Sequence, residues 1–208
     1  MFEDGSAALW LALNPKNYSG LTEISWFQQG RLVNVIGSKH PLPGGVILKE
    51  VRGIARDQEG GIWLFDLNQG LFRLADGMLT RIANALELEP NYRVLYADRE
   101  GRIWVGQPGQ VALYGHRKFQ IFGTSDRVPP GRVWTIFHEH AGSIWVGGES
   151  GPSKFYNDRF RTLSQSNGLP AESIFGMAED DDGYWWIATD VGALRVPVGA
   201  DRQLDGVM

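Results

Sequence analysis

The chain has 208 residues, a net charge of −4, eight tryptophans, 27 glycines and no cysteine. Disulfides and thiolate metal sites are excluded, interspersed charges with no Lys/Arg run speak against nucleic acid as a partner, and no apolar stretch approaches the roughly 18 residues that span a bilayer. An apolar fraction of 43% is that of a folded globular chain, and the many glycines point to tight turns.

In chain order, Met1-Phe2-Glu3-Asp4-Gly5-Ser6 lacks the basic and apolar regions of a signal peptide. The first predicted strand is Leu9-Trp10-Leu11, with Asp4 six residues before its Trp. A complete copy follows. Val51–Arg56 reads as a strand, an acidic turn runs to Gly60, and a second strand carries Trp63. The same order returns at Tyr92–Ala97 with Trp104, at Val133–His138 with Trp145, and at Ile174–Glu179 with Trp186. These four tryptophans stand 41 residues apart. Three residues before each is Gly60, Gly101, Gly142 or Gly183, and six before is Asp57, Asp98, Glu139 or Asp180. Third strands such as Val111–Tyr114 and Ser153–Tyr156, and fourth strands such as Phe119–Phe122 and Phe160–Leu163, complete each copy. Trp10 precedes Trp63 by 53 residues, so 12 extra residues fall near His40–Gly45 and Asn14–Asn17.

The first strands are apolar on both faces. Ile54, Leu95, Ile136 and Met177 form one column and Ala55, Tyr96, Phe137 and Ala178 the next, the pattern of a strand buried on both sides. Four strands in about 40 residues is the arithmetic of a propeller blade. A helical solenoid of similar period is excluded by the alternating pattern and the glycines within it. The predicted fold is all-β, a β-propeller of four-stranded antiparallel blades with period 41: four full copies and one truncated copy, part of a larger ring. The blades run over residues 1–47 (partial, with no room for its own first strand), 48–88, 89–129, 130–170 and 171–208. The fourth strand of the last copy falls on Arg202–Met208.

The repeat unit, hydrophobic-x-x-hydrophobic-x-x-acid-x-x-Gly-x-Ile-Trp-Val-Gly, resembles the two-component regulator propeller repeat. Asp98-Arg99-Glu100-Gly101-Arg102-Ile103-Trp104-Val105-Gly106 and Asp180–Asp190 are its best copies. Asn167-Gly168-Leu169-Pro170 matches the segment that often leads into the family's first strand, with Asp126-Arg127-Val128-Pro129 at the same place one copy earlier. The resemblance implies an extracytoplasmic, signal-input role within a sensor of the histidine-kinase type, the kinase part lying elsewhere. Rings of this family commonly have about seven blades, roughly 290 residues at this period, so the chain is expected to be part of such a ring.

Each candidate site has a structural alternative. The four acids suit a hairpin turn better than catalysis, and the four in-phase tryptophans suit packing between blades better than ligand stacking. Glu179–Gly183 is rich in acid but lacks calcium-loop spacing. His138 and His140 straddle Glu139 without an evident third metal ligand, and neither a metal nor another cofactor is predicted. The loops that join second to third strands, and those that lead into first strands, differ from copy to copy. They carry Asp66–Gln69, Gln107–Gln110, Gly148–Ser150 and Thr189–Val191, and Asn91, Arg93, Arg132 and Glu172. Function tends to sit on such loops, and Arg93, Arg132, Glu149 and Asp190 are the predicted ligand-binding residues. The expected partners are a small-molecule or glycan ligand and either further blades or another copy of the chain. A lyase-type propeller enzyme and a protein-interaction platform are the alternatives.

Overall fold

The computed structural model describes residues 2–3, 9–13, 22–36, 46–83, 94–162 and 173–199. All of them lie in strands, turns and loops apart from one 3-10 turn at Thr124–Asp126, and among them no helix is long and apolar enough to cross a membrane. Five antiparallel sheets follow one another along the chain. The first holds β1 (Phe2–Glu3), β2 (Leu9–Leu13), β3 (Glu23–Gln28) and β4 (Arg31–Ile36). The second holds β5 (Val51–Arg56), β6 (Ile62–Asp66), β7 (Gly70–Ala75) and β8 (Met78–Ala83). The third holds β9 (Val94–Ala97), β10 (Ile103–Gln107), β11 (Gln110–Gly115) and β12 (Lys118–Phe122). The fourth holds β13 (Val133–His138), β14 (Ile144–Gly148), β15 (Gly151–Tyr156) and β16 (Arg159–Thr162). The fifth holds β17 (Ile174–Glu179), β18 (Tyr184–Thr189) and β19 (Gly192–Pro197). Strands within each sheet lie in chain order, so the fold is a β-propeller of antiparallel blades.

The first copy does have a first strand. The two-residue β1 pairs with β2 through Phe2↔Trp10 and Glu3↔Leu9, which corrects the expectation that no room was left for it. Two residues suffice because a strand need only meet its neighbour for one pair of ladder bonds. The segments expected to carry the 12 extra residues, and the fourth strand expected at Arg202–Met208, lie outside the described residues.

The acid-to-glycine turn is the same in four copies. The N–H of Asp57, Asp98, Glu139 and Asp180 donates to the carbonyl four residues on, at 2.9 to 3.0 Å, and each turn glycine donates back to the acid's carbonyl at 3.0 to 3.2 Å. Those glycines have φ between +75° and +96°, the left-handed region that a side chain disfavours.

The acid does more than make the turn. Asp57 accepts the indole N–H of Trp63 at 2.7 Å, Glu139 that of Trp145 at 2.8 Å and Asp180 that of Trp186 at 2.8 Å. A cation from the third strand, directly opposite the Trp, completes each group: Arg73 on Asp57 (2.7 Å), Lys154 on Glu139 (3.1 Å) and Arg195 on Asp180 (3.4 Å). In the third sheet Arg102, beside the turn, takes Asp98 at 2.6 Å.

Burial raises the Asp57 pKa, but the bonds from Arg73, Trp63 and Gly61 and the charge of Arg73 outweigh it and hold the carboxyl below its ordinary value. A depressed folded-state value stabilises the fold above the unfolded-state value of about 4 and loses that contribution as pH falls through the folded-state value. Asp57→Asn is therefore expected to flatten the acid limb of a stability-against-pH curve measured by urea unfolding. An acid limb as steep as that of the unsubstituted chain would remove Asp57 from the account.

The chain forms two compact units, Met1–Ile103 and Trp104–Met208. In the first, Ile24, Ile36, Leu48, Val51, Ile62, Leu64 and Phe72 make one buried cluster, with Trp10 and Ala12 against it. In the second, Trp104 meets the edge of Phe155 at 4.9 Å, and Phe155, Phe122 and Phe160 pack mutually at 5.0 to 5.3 Å. Trp145 meets Trp185 of the next blade at 5.1 Å, in a cluster with Ile174 and Ile187. Blades approach closely there: a Cβ on Gly147 would lie 2.7 Å from Ile174 and 2.9 Å from Thr135, which gives a physical reason for glycine after Trp-Val.

The first strand is buried on both faces in the second sheet, where Ile54 and Ala55 are both buried, and less completely in β13 and β17, where Phe137 is partly exposed and Ala178 exposed. Every residue of the second strands β6, β10 and β14 is buried, whereas β18 alternates buried with exposed positions. Trp186 departs as well. It is 46% exposed, while Trp63, Trp104 and Trp145 are buried.

Candidate functional site

Two of the predicted ligand-binding residues, Glu149 and Asp190, lie on short turns that the ladder places at one end of their blade. In the second unit, β14 and β15 are joined by Glu149-Ser150, and β18 and β19 by Asp190-Val191. Arg132 lies just before β13 and Ser173 just before β17, so each leads into its first strand beside one of these turns.

The structure joins three of the four predicted residues. The Arg132 N–H donates to Glu149 Oε2 at 2.9 Å, the Glu149 N–H returns to the Arg132 carbonyl at 3.0 Å, and the Arg132 guanidinium stands 3.6 Å from Glu149 Oε1. Ser173 Oγ donates to the Glu149 carbonyl at 3.4 Å, and the Ser173 N–H donates to Asp190 Oδ1 at 3.4 Å. Arg132, Glu149, Ser173 and Asp190 thus form one polar chain across two successive blades. Arg93, Asn91 and Glu172 lie outside the described residues.

The acids at this end act as clasps between a blade's entering segment and its second-to-third turn. Asp66 shows this most fully in the first unit. Its Oδ2 accepts the N–H groups of Lys49 and Glu50 at 2.8 and 2.9 Å, and its Oδ1 those of Asn68 and Gln69 at 2.9 and 3.0 Å. Asp66 is fully buried, so it holds the loop rather than facing a ligand. Glu149 and Asp190 make the same kind of bond with one N–H each and stay open to solvent.

Sequence reasoning missed two residues at this end. Each described first strand with a register shift has it at its second residue: Arg52, Trp134 and Phe175 are bulged out of the ladder. A bulge re-aims the side chain it carries. The rings of Trp134 and Phe175 stack at 4.9 Å with an interplanar angle of 28°, and Phe175 is 49% exposed. Arg52 pairs with Glu50. Arg93 stands 41 residues after Arg52 in the sequence.

Other features carry less chemistry. The histidines do not act as a pair: His138 is buried at the end of β13, and His140 sits on the exposed turn with Nδ1 3.0 Å from Glu179. Among the described residues no cluster of three or more His, Asp or Glu has metal-holding geometry. A cleft of ≈ 1210 Å³ opens beside β15 and β16, lined by Arg127, Lys154, Tyr156, Arg159 and Arg161. It lies away from the loop end, and its Lys154 is committed to Glu139.

Residues 168–191 match the family model described as two component regulator propeller, so the chain carries that repeat. No curated protein matches the chain. The extracellular domain of BT3049 from B. thetaiotaomicron, assigned to the hybrid two component systems, is 20% identical with a TM-score of 0.74. The match covers 100% of this chain and 28% of that one. The corresponding domain of BT4673 from the same organism is 18% identical with a TM-score of 0.61, over 91% of this chain and 26% of that one. A protein assigned as a gluconolactonase is 14% identical with a TM-score of 0.65, over 95% of this chain and 72% of that one. The chain thus spans about a quarter of the length of the two-component domains it resembles.

Proposed function

We propose that this chain is a signal-input propeller segment of an extracytoplasmic two-component sensor, and that it receives a small-molecule or glycan ligand at its loop end without catalysing a reaction. The observation that carries this reading is the polar chain Arg132–Glu149–Ser173–Asp190 across two blades, beside the stacked Trp134 and Phe175. These positions vary between copies whose turns and tryptophans do not, as recognition of an asymmetric ligand requires. A partly open aromatic pair offers an apolar surface, and the half-exposed Arg132 and Glu149 offer charge and hydrogen bonds beside it. The family repeat at residues 168–191 and the fold shared with extracellular two-component domains support the signalling context.

A thermal-shift screen of oligosaccharides and other small molecules, run on the chain and on Arg93→Ala, Arg132→Ala, Glu149→Ala and Asp190→Ala, tests the reading. Each variant should keep its ligand-free stability within about 0.5 kcal/mol, as most surface substitutions do, and should lose a ligand-induced shift. Equal shifts in all four variants would move the site away from this end. Turnover of a bound compound would favour a lyase-type enzyme, and a chain that binds proteins but no small molecule would be an interaction platform.

A further inference from the structure

We draw no further inference here: the strongest candidate, the cleft beside β15 and β16 that gathers Arg127, Lys154, Arg159 and Arg161 around Tyr156, carries nothing because Asp126, Glu139 and Asp158 in the same lining nearly balance its cations and nothing in the structure shows what covers it.

Discussion

Trp145→Ala is expected to destabilise the chain by about 3–5 kcal/mol, as truncation of a large buried aromatic does. Trp186→Ala, at the same place in the repeat, is expected to cost about 1 kcal/mol or less in dilute solution. The side chains share a strand position, a hydrogen bond to the turn acid and a cation from the third strand. They differ in what covers the ring. Trp145 is 1% exposed and lies edge-on to Trp185, whereas Trp186 is 46% exposed. The pair therefore separates burial from the hydrogen-bonded group around the indole. Urea unfolding followed by far-ultraviolet circular dichroism gives both values, and Trp104→Ala should fall with Trp145→Ala because its ring is also fully buried. Equal losses at Trp145 and Trp186 would mean that the acid, indole and cation group carries the stability and that contact with the next blade adds little.

The blade plan was legible because the turn repeats. A glycine at positive φ and an acid whose oxygens take up nearby N–H groups are needed wherever this hairpin closes, so both return every 41 residues. The bond from the acid to the indole six residues on explains why those two columns move together, which turn chemistry alone does not require. The cation partner was hidden by a difference in loop length. Three residues join β6 to β7, but two join β14 to β15 and β18 to β19, so the cation falls ten residues after Trp63 and nine after Trp145 and Trp186. The doubly apolar pattern of the first strand matches burial at Ile54 and Ala55 but not at Ala178, which is exposed along with Trp186 beside it.

The loop end was half legible. Variation between copies pointed to Arg132, Glu149 and Asp190, and the structure joins them through Ser173. Variation gave no sign that Glu149 and Asp190 also tie backbone groups together. Trp134 and Phe175 were passed over because strand alternation assigns them an ordinary place in the ladder, and only the bulge takes them out of it. Arg127, at the place that Gly168 holds one copy later in the sequence, is left-handed with φ +67°.

Asp66→Ala is expected to cost about 3–5 kcal/mol, although Asp66, the last residue of β6, stands at a position that varies between copies. Four backbone N–H groups converge on its carboxylate, and the residue has no exposed surface. A hydrogen bond to a charged group contributes about 1.5–3 kcal/mol. Four such bonds are not additive, because water would enter the space left by the side chain and satisfy some of the donors. Asp66→Asn should lie between the two. Its amide oxygen can accept from one pair of donors, but its NH₂ would face the other pair, donor against donor. Glu149→Ala, which loses one such bond at a half-exposed site, should cost no more than about 0.5 kcal/mol. Hydrogen exchange locates the effect: amides of Lys49, Glu50, Asn68 and Gln69 should exchange faster in Asp66→Ala, while those of β14 and β15 remain protected. A loss of stability at Asp66 no larger than at Glu149 would mean that the Leu67 N–H bond to the Glu50 carbonyl, at 2.9 Å, holds this loop without the carboxylate.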